Sequence, residues 1–174
     1  RLVIGVDLGV RRSEAAQTVA LEPATLEIGG LLALSLKASA ANISRDVFSA
    51  DVVKAIASAA FVEAGSIEVT LRDLGLVNLA AAEVARTAGR GPEAGRTLLL
   101  EEWARNAQVQ TQAYPEARPF LEAMRQFLQG QGETLTVKLT PKGRVRVLEL
   151  IEAVRLDPVR ALLAGFNLEA GRGR

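Results

Sequence analysis

The side chains available for chemistry in this chain are carboxylates, lysines and hydroxyls, because it contains neither histidine nor cysteine. That removes the commonest general base, the Ser-His-Asp and Cys-His arrangements, and imidazole and thiolate metal ligands. Disulfides are excluded too, and the redox compartment cannot be read from a cysteine-free chain. The densest carboxylate group is Glu101-Glu102 with Glu93 and Glu83 nearby, the residue type that holds metals. Adjacent helical residues point about 100° apart, so Glu101 and Glu102 cannot converge on one ion unaided. The Glu-x-x-His pattern of di-iron bundles needs a histidine. A solvated helix face accounts for these glutamates. Gly89-Arg-Gly-Pro-Glu-Ala-Gly95 has the glycine density of a phosphate loop without its Gly-Lys-Ser/Thr ending, and reads as a linker between helices. Trp103, Phe120, Met124 and Phe127 could line an apolar pocket, but their helical spacing places them in a core.

The sharpest local motif is Val3-Ile-Gly-Val-Asp-Leu-Gly9. It resembles the first strand of actin-like ATPases and of resolvase-type nucleases with an RNase H-like fold. The resemblance implies that Asp7 would hold a metal ion or its water, with Gly5 and Gly9 leaving space for a phosphate. It covers about ten residues, and a short motif needs its structural context. No second phosphate loop follows, no acidic residue clearly ends a later strand, and Val10-Arg11-Arg12 stands where the ATPase turn has Ser or Thr. The simpler account is a half-exposed strand whose outward face carries Gly, Asp and Gly.

The chain of 174 residues suits a single domain, 1–174, which at this size buries roughly 70% of its unfolded surface. Hydrophobic residues make up 49% and aromatics only 4%, so the core must be aliphatic. The 21 basic and 20 acidic residues nearly cancel. Neither a phosphate-backbone partner nor a charged tail is implied, and few aromatics are available to stack on bases. No nucleic-acid partner and no cofactor are expected. The chain begins at Arg1, so a signal peptide or membrane anchor could precede it. The longest apolar-rich run, Val52 to Val62, is interrupted by Lys54 and Ser58 and is far short of a membrane span.

Two alternating segments, Ser66–Arg72 and Thr134–Thr140, bracket three helical patterns, and the chain is organised around them. Strands at either end of a helical excursion are well placed to share one sheet. Arg1–Val10 alternates, with Leu2, Ile4, Val6, Leu8 and Val10 on one face. Arg11–Glu14 reads as a turn. Gln17–Glu22 is a short strand ended by Pro23, and Thr25–Ile28 alternates again. Gly29-Gly30 marks a turn, after which Leu32, Leu34, Leu36 and Ala38 share a face. These strands are antiparallel, since their links are too short for crossovers.

A helix capped by Ser44 or Asp46 is expected to about Val62, with Val47, Val52, Ile56 and Ala59 or Ala60 inward and Gly65 stopping it. Beyond Asp73-Leu-Gly75, Leu76, Leu79, Ala80 and Val84 form the next stripe. Pro92 opens a third helix to about Gln110, with Leu99, Trp103 and Ala107 aligned. Phe120, Leu121, Met124, Phe127 and Leu128 mark the fourth. A short helix follows around Val147, Leu148 and Ile151, and Asp157-Pro158 starts another. Phe166–Glu169 is a last edge strand, with Gly171–Arg174 expected to fray. The whole reads as α+β: a curved, mainly antiparallel sheet of about five or six strands with helices packed on one face. Residues 1–42 form a β-rich lobe and 43–170 a helix-rich lobe with the bounding strands.

Ile67-Glu-Val-Thr-Leu-Arg-Asp-Leu-Gly-Leu-Val77, Leu135-Thr-Val-Lys-Leu-Thr-Pro141 and Asp157-Pro158 with Leu162-Leu163 look like uncharacterised bacterial envelope proteins. Leu26-Glu-Ile-Gly-Gly-Leu-Leu-Ala-Leu-Ser-Leu36 is similar to strands of AsmA-like periplasmic proteins. The resemblance covers about two-thirds of the chain in pattern and carries no functional residue with it. It implies a periplasmic or membrane-associated location and a role in lipid handling or envelope organisation.

Together with the long aliphatic strand faces, this gives the expected function: a non-catalytic envelope module whose apolar sheet face binds a lipid chain or a protein partner. The candidate face is Leu2, Ile4, Val6, Leu8, Leu32, Leu34 and Leu36. The simpler expectation is that helices bury all of that face; it serves a ligand or another subunit only where they leave the sheet uncovered. The alternatives are a self-assembling structural protein, or homo-oligomer, and a magnesium-dependent nucleotide or nucleic-acid enzyme using Asp7.

Overall fold

A computed structural model describes residues 3–173. Six strands lie in one sheet in sequence order, β1-β2-β3-β4-β5-β6, and every neighbouring pair is antiparallel. The strands are β1 (Ile4–Ser13), β2 (Thr18–Ile28), β3 (Leu32–Ala41), β4 (Glu63–Asp73), β5 (Thr134–Pro141) and β6 (Phe166–Gly173). Helix α1 (Val52–Ala59) links β3 to β4, and α2 (Leu76–Thr87), α3 (Gly95–Ala113) and α4 (Arg118–Leu128) link β4 to β5. Helices α5 (Val147–Leu156) and α6 (Pro158–Gly165) link β5 to β6. The fold is the expected α+β arrangement. The segments bracketing the helical excursion are adjacent, with Leu71 opposite Leu135. The β3–β4 ladder joins the β-rich and helix-rich lobes into one sheet.

The strands are longer than their alternation suggested. Arg11, Arg12 and Ser13 belong to β1, paired to Ala20, Val19 and Thr18, and the turn falls at residues 14–17. Pro23 does not end a strand: Thr18–Ile28 is continuous, and Glu22-Pro23 form a bulge opposite Gly9 on one side and Lys37 on the other. A bulge lets proline sit in a strand without removing a ladder bond. A second bulge places Gly65-Ser66 opposite Ser39, so Gly65 lies inside β4 and does not stop a helix. Bulges raise local twist and bend the strand, which curves this end of the sheet. Gly171 and Gly173 do not fray; they pair with Thr136 and Thr134.

The core is small and lies to one side. Val77 of α2, Ala123 and Phe127 of α4, and Leu135 of β5 are buried together. Leu71, Leu99, Phe120, Met124, Leu128, Val137 and Ala170 pack around them. The helix-facing stripe of α2 is Val77, Ala81 and Ala85, while Leu79 is half exposed. The true stripe lies one residue beyond the expected Leu76, Ala80 and Val84. The small Ala81 and Ala85 let α3 come close: a Cβ at Gly95 would collide with the Ala81 carbonyl. Asp73 starts α2 by accepting from Gly75 and Val77 amides, both at 3.1 Å.

The expected helix to Val62 is instead a 3-10 turn, Arg45–Phe48, and the separate α1. Its cap is Asp51, which accepts from Val53 and Lys54 amides; such a cap contributes about 1 kcal/mol. Val52 and Ile56 do not face inward. They are more than half exposed.

Candidate binding face

Antiparallel neighbours that stand directly opposite each other share a face of the sheet. The register therefore defines rows running across the strands at about 4.8 Å spacing. One row is Val6, Leu26, Leu34, Leu71 and Leu135. The next is Leu8, Ala24, Leu36, Val69, Val137 and Ala170. A third, at the other side of the first, is Ile4, Ile28 and Leu32. The rows contain no aromatic residue and no charge until Arg172 closes the first row and Asp73 the third.

These rows begin under the helices and continue past them. Leu135 is 3% exposed, whereas Val6, at the far end of the same row, is 74% exposed. No residue of β1, β2 or β3 is fully buried. Helices α2 and α4 cover the β4–β6 half, and the β1–β3 half is left as an aliphatic surface. Ile4, Val6 and Leu8 are exposed on the edge strand, and Leu32, Leu34 and Leu36 are half-buried behind them. The structure thus brings six of the seven expected residues onto one face; Leu2 lies outside the described residues. Contiguous exposed apolar surface larger than a few hundred Å² is rare on monomers and marks interaction sites.

Sequence reasoning missed a second exposed apolar group, Phe48, Val52, Val53, Ile56 and Phe61 around α1. Phe48 lies under the Arg12 guanidinium, 4.6 Å from the ring centroid. Arg12 shares the face of Val6 and Leu8, so this group borders the aliphatic rows. Its signal was present as a helical apolar stripe, but a stripe does not say whether another element meets it.

Asp7 lies on the opposite face, exposed and paired with Thr25. That face is polar. Thr25, Ser35, Thr70, Thr136 and Gly171 continue the row from Asp7, and Thr70 and Thr136 hydroxyls are 3.2 Å apart. Lys37, Glu68, Lys138 and Glu169 alternate in charge along the neighbouring row. Among the described residues no three Asp or Glu side chains gather closely enough to hold a metal ion. Glu83 pairs with Arg86 on the surface of α2, whose guanidinium lowers the Glu83 pKa. Glu101 and Glu102 lie exposed on α3.

A cleft with convergent polar groups lies between the α3–α4 junction and α6, and holds Tyr114, Lys142, Asp157 and Arg160. Its groups tie the fold together. Asp157 accepts from the Arg160 amide and from the Tyr114 hydroxyl at 3.1 Å. Lys142 donates to the Leu163 carbonyl at 2.7 Å. The bond to Asp157 stabilises the neutral phenol and, with partial desolvation, raises the Tyr114 pKa.

Residues 25–170 match a protein family whose description is "Uncharacterized protein", and the chain belongs to that family. No curated protein and no solved structure matches it.

Proposed function

We propose that this chain is a non-catalytic binding module of the bacterial envelope that holds a lipid acyl chain against the open half of its sheet. The observation that carries the reading is the run of aliphatic rows from the buried Leu135 and half-buried Val137 out to the exposed Val6 and Leu8. A hydrocarbon chain lying on that surface removes water from both partners at about 25 cal/mol per Å² of apolar area. The surface asks for no directed hydrogen bond, which suits an alkyl chain better than a polar metabolite. The strand pattern's similarity to AsmA-like periplasmic proteins supports the envelope setting. No helix of the described residues is long and apolar enough to cross a membrane.

Native mass spectrometry of the protein purified from its own cells, with and without mild detergent, tests the reading. A retained mass matching a lipid, lost in a Val6→Gln/Leu8→Gln variant, is the expected result. A bare protein that also fails to take up phosphatidylglycerol from added vesicles of that lipid overturns it.

A further inference from the structure

Among the described residues strand β1 is an unpaired edge of the sheet, and every residue from Val3 to Arg12 except Gly9 is exposed. The Val3 carbonyl accepts from the Gly29 amide at 2.9 Å. By the alternation of an antiparallel ladder, Gly5 and Asp7 then turn their backbone groups toward β2, while Ile4, Val6 and Leu8 turn theirs outward. Natural edges are guarded by proline, by bulges of their own, or by charges on the apolar face. Strand β1 has no proline, the bulge at this level belongs to β2, and Ile4, Val6, Leu8 and Val10 run uninterrupted on the aliphatic face as far as Arg12, whose guanidinium lies over Phe48.

We propose that this edge pairs antiparallel with the same edge of a second copy of the chain, with Gly9 on the two-fold axis. That register sets Leu8 of each copy against Val10 of the other on the aliphatic face. On the polar face it sets Asp7 of each copy against Arg11 of the other, two opposite-charge pairs related by symmetry. Arg11 can make them, since among the described residues its one ion-pair partner, Glu22, is 3.6 Å away and both side chains are well exposed. Centring the pair on Asp7 or on Arg11 instead would oppose like charges, which selects the Gly9 register. The two-fold axis is perpendicular to the sheet, so both aliphatic faces fall on the same side. The open halves then adjoin as one floor, from β3 of one copy to β3 of the next, with a helix layer walling each end. The pairing stands or falls independently of whether a lipid occupies that floor.

Sedimentation equilibrium of the wild-type chain, Asp7→Arg, Arg11→Asp and the double variant tests the proposal. Wild type is expected to dimerise, each single reversal to weaken the dimer by about tenfold or more, and the double reversal to restore it. A monomeric wild type, single reversals without effect, or a double variant no better than the singles overturns it. Should a reversal fail to fold by circular dichroism, a second measurement decides. The chain has no cysteine, so Leu8→Cys and Val10→Cys proteins can be mixed and joined with a short thiol crosslinker. Preferential cross-linking of the mixture over either protein alone supports the register, and equal or absent cross-linking overturns it.

Discussion

Leu34 stands directly opposite Leu71 across the β3–β4 ladder, and of the two only Leu71 packs against the buried helix–sheet cluster. The two leucines share a face and a row but belong to different environments. The boundary of the core therefore runs between β3 and β4, and one continuous aliphatic surface is core on one side and open on the other.

That boundary is measurable as stability. Leu135→Ala removes a side chain from the buried cluster and is expected to cost about 2–5 kcal/mol. Val6→Ala, in the same row but mostly exposed, is expected to change stability by less than about 0.5 kcal/mol. Urea unfolding of the two variants checks this, and equal losses would mean that the core extends to β1.

Lipid retention should follow the opposite pattern. Replacing Leu8 by Gln is expected to leave the urea midpoint nearly unchanged. Each lost aliphatic contact should weaken acyl-chain binding by about 1–2 kcal/mol, close to tenfold. Displacement of a fluorescent fatty acid from the wild type and from Leu8→Gln gives the comparison. Thr136→Val, altered on the polar face, should bind as the wild type does.

Gly95 is the close contact between α2 and α3. Its missing side chain leaves room for the Ala81 carbonyl, so Gly95→Ala must push the helices apart. The expected loss is about 1–3 kcal/mol. Gly5→Ala is the control, because a Cβ there meets nothing within 4 Å. Thermal unfolding of both separates crowding from a general effect of losing glycine.

Tyr114 is the chain's single tyrosine, so phenolate absorbance reports on it alone. Its bond to Asp157 raises its pKa, and the folded protein is expected to titrate above the usual phenol value of about 10. In Asp157→Asn the midpoint should fall toward that value. Because the folded pKa is the higher one, the contact's contribution to stability is complete below the unfolded pKa and is lost as pH rises through the folded one.

Glu122 gives the acid counterpart. Arg125 and Gln126 bond its carboxylate and hold its pKa at about 2. With the folded pKa depressed, the contribution is present above the unfolded value and is lost as pH falls from there toward about 2. Carboxyl chemical shifts followed by NMR should show this midpoint, and Arg125→Gln should raise it.

The sequence by itself determined the element types and the α+β class. Alternation with a period of two and apolar stripes with a period of 3.6 are local properties, as are the Gly29-Gly30 turn and the Asp157-Pro158 helix start. It also determined that Ile4, Val6, Leu8, Leu32, Leu34 and Leu36 are aliphatic and share a face within their strands. It misjudged lengths where tertiary pairing overrode a local stop. Pro23 is carried by a bulge, Arg11–Ser13 are held in β1 by β2, and Gly171–Gly173 are held in β6 by β5. It also misjudged α1, where Val52 and Ile56 form a stripe expected to face inward that stays more than half exposed. Only the tertiary structure decided which strands the helices cover. The links β4–α2-α3-α4–β5 and β5–α5-α6–β6 confine the helix layer to one end of the sheet. Two leucines with the same local pattern, Leu34 and Leu71, then differ only in what lies above them.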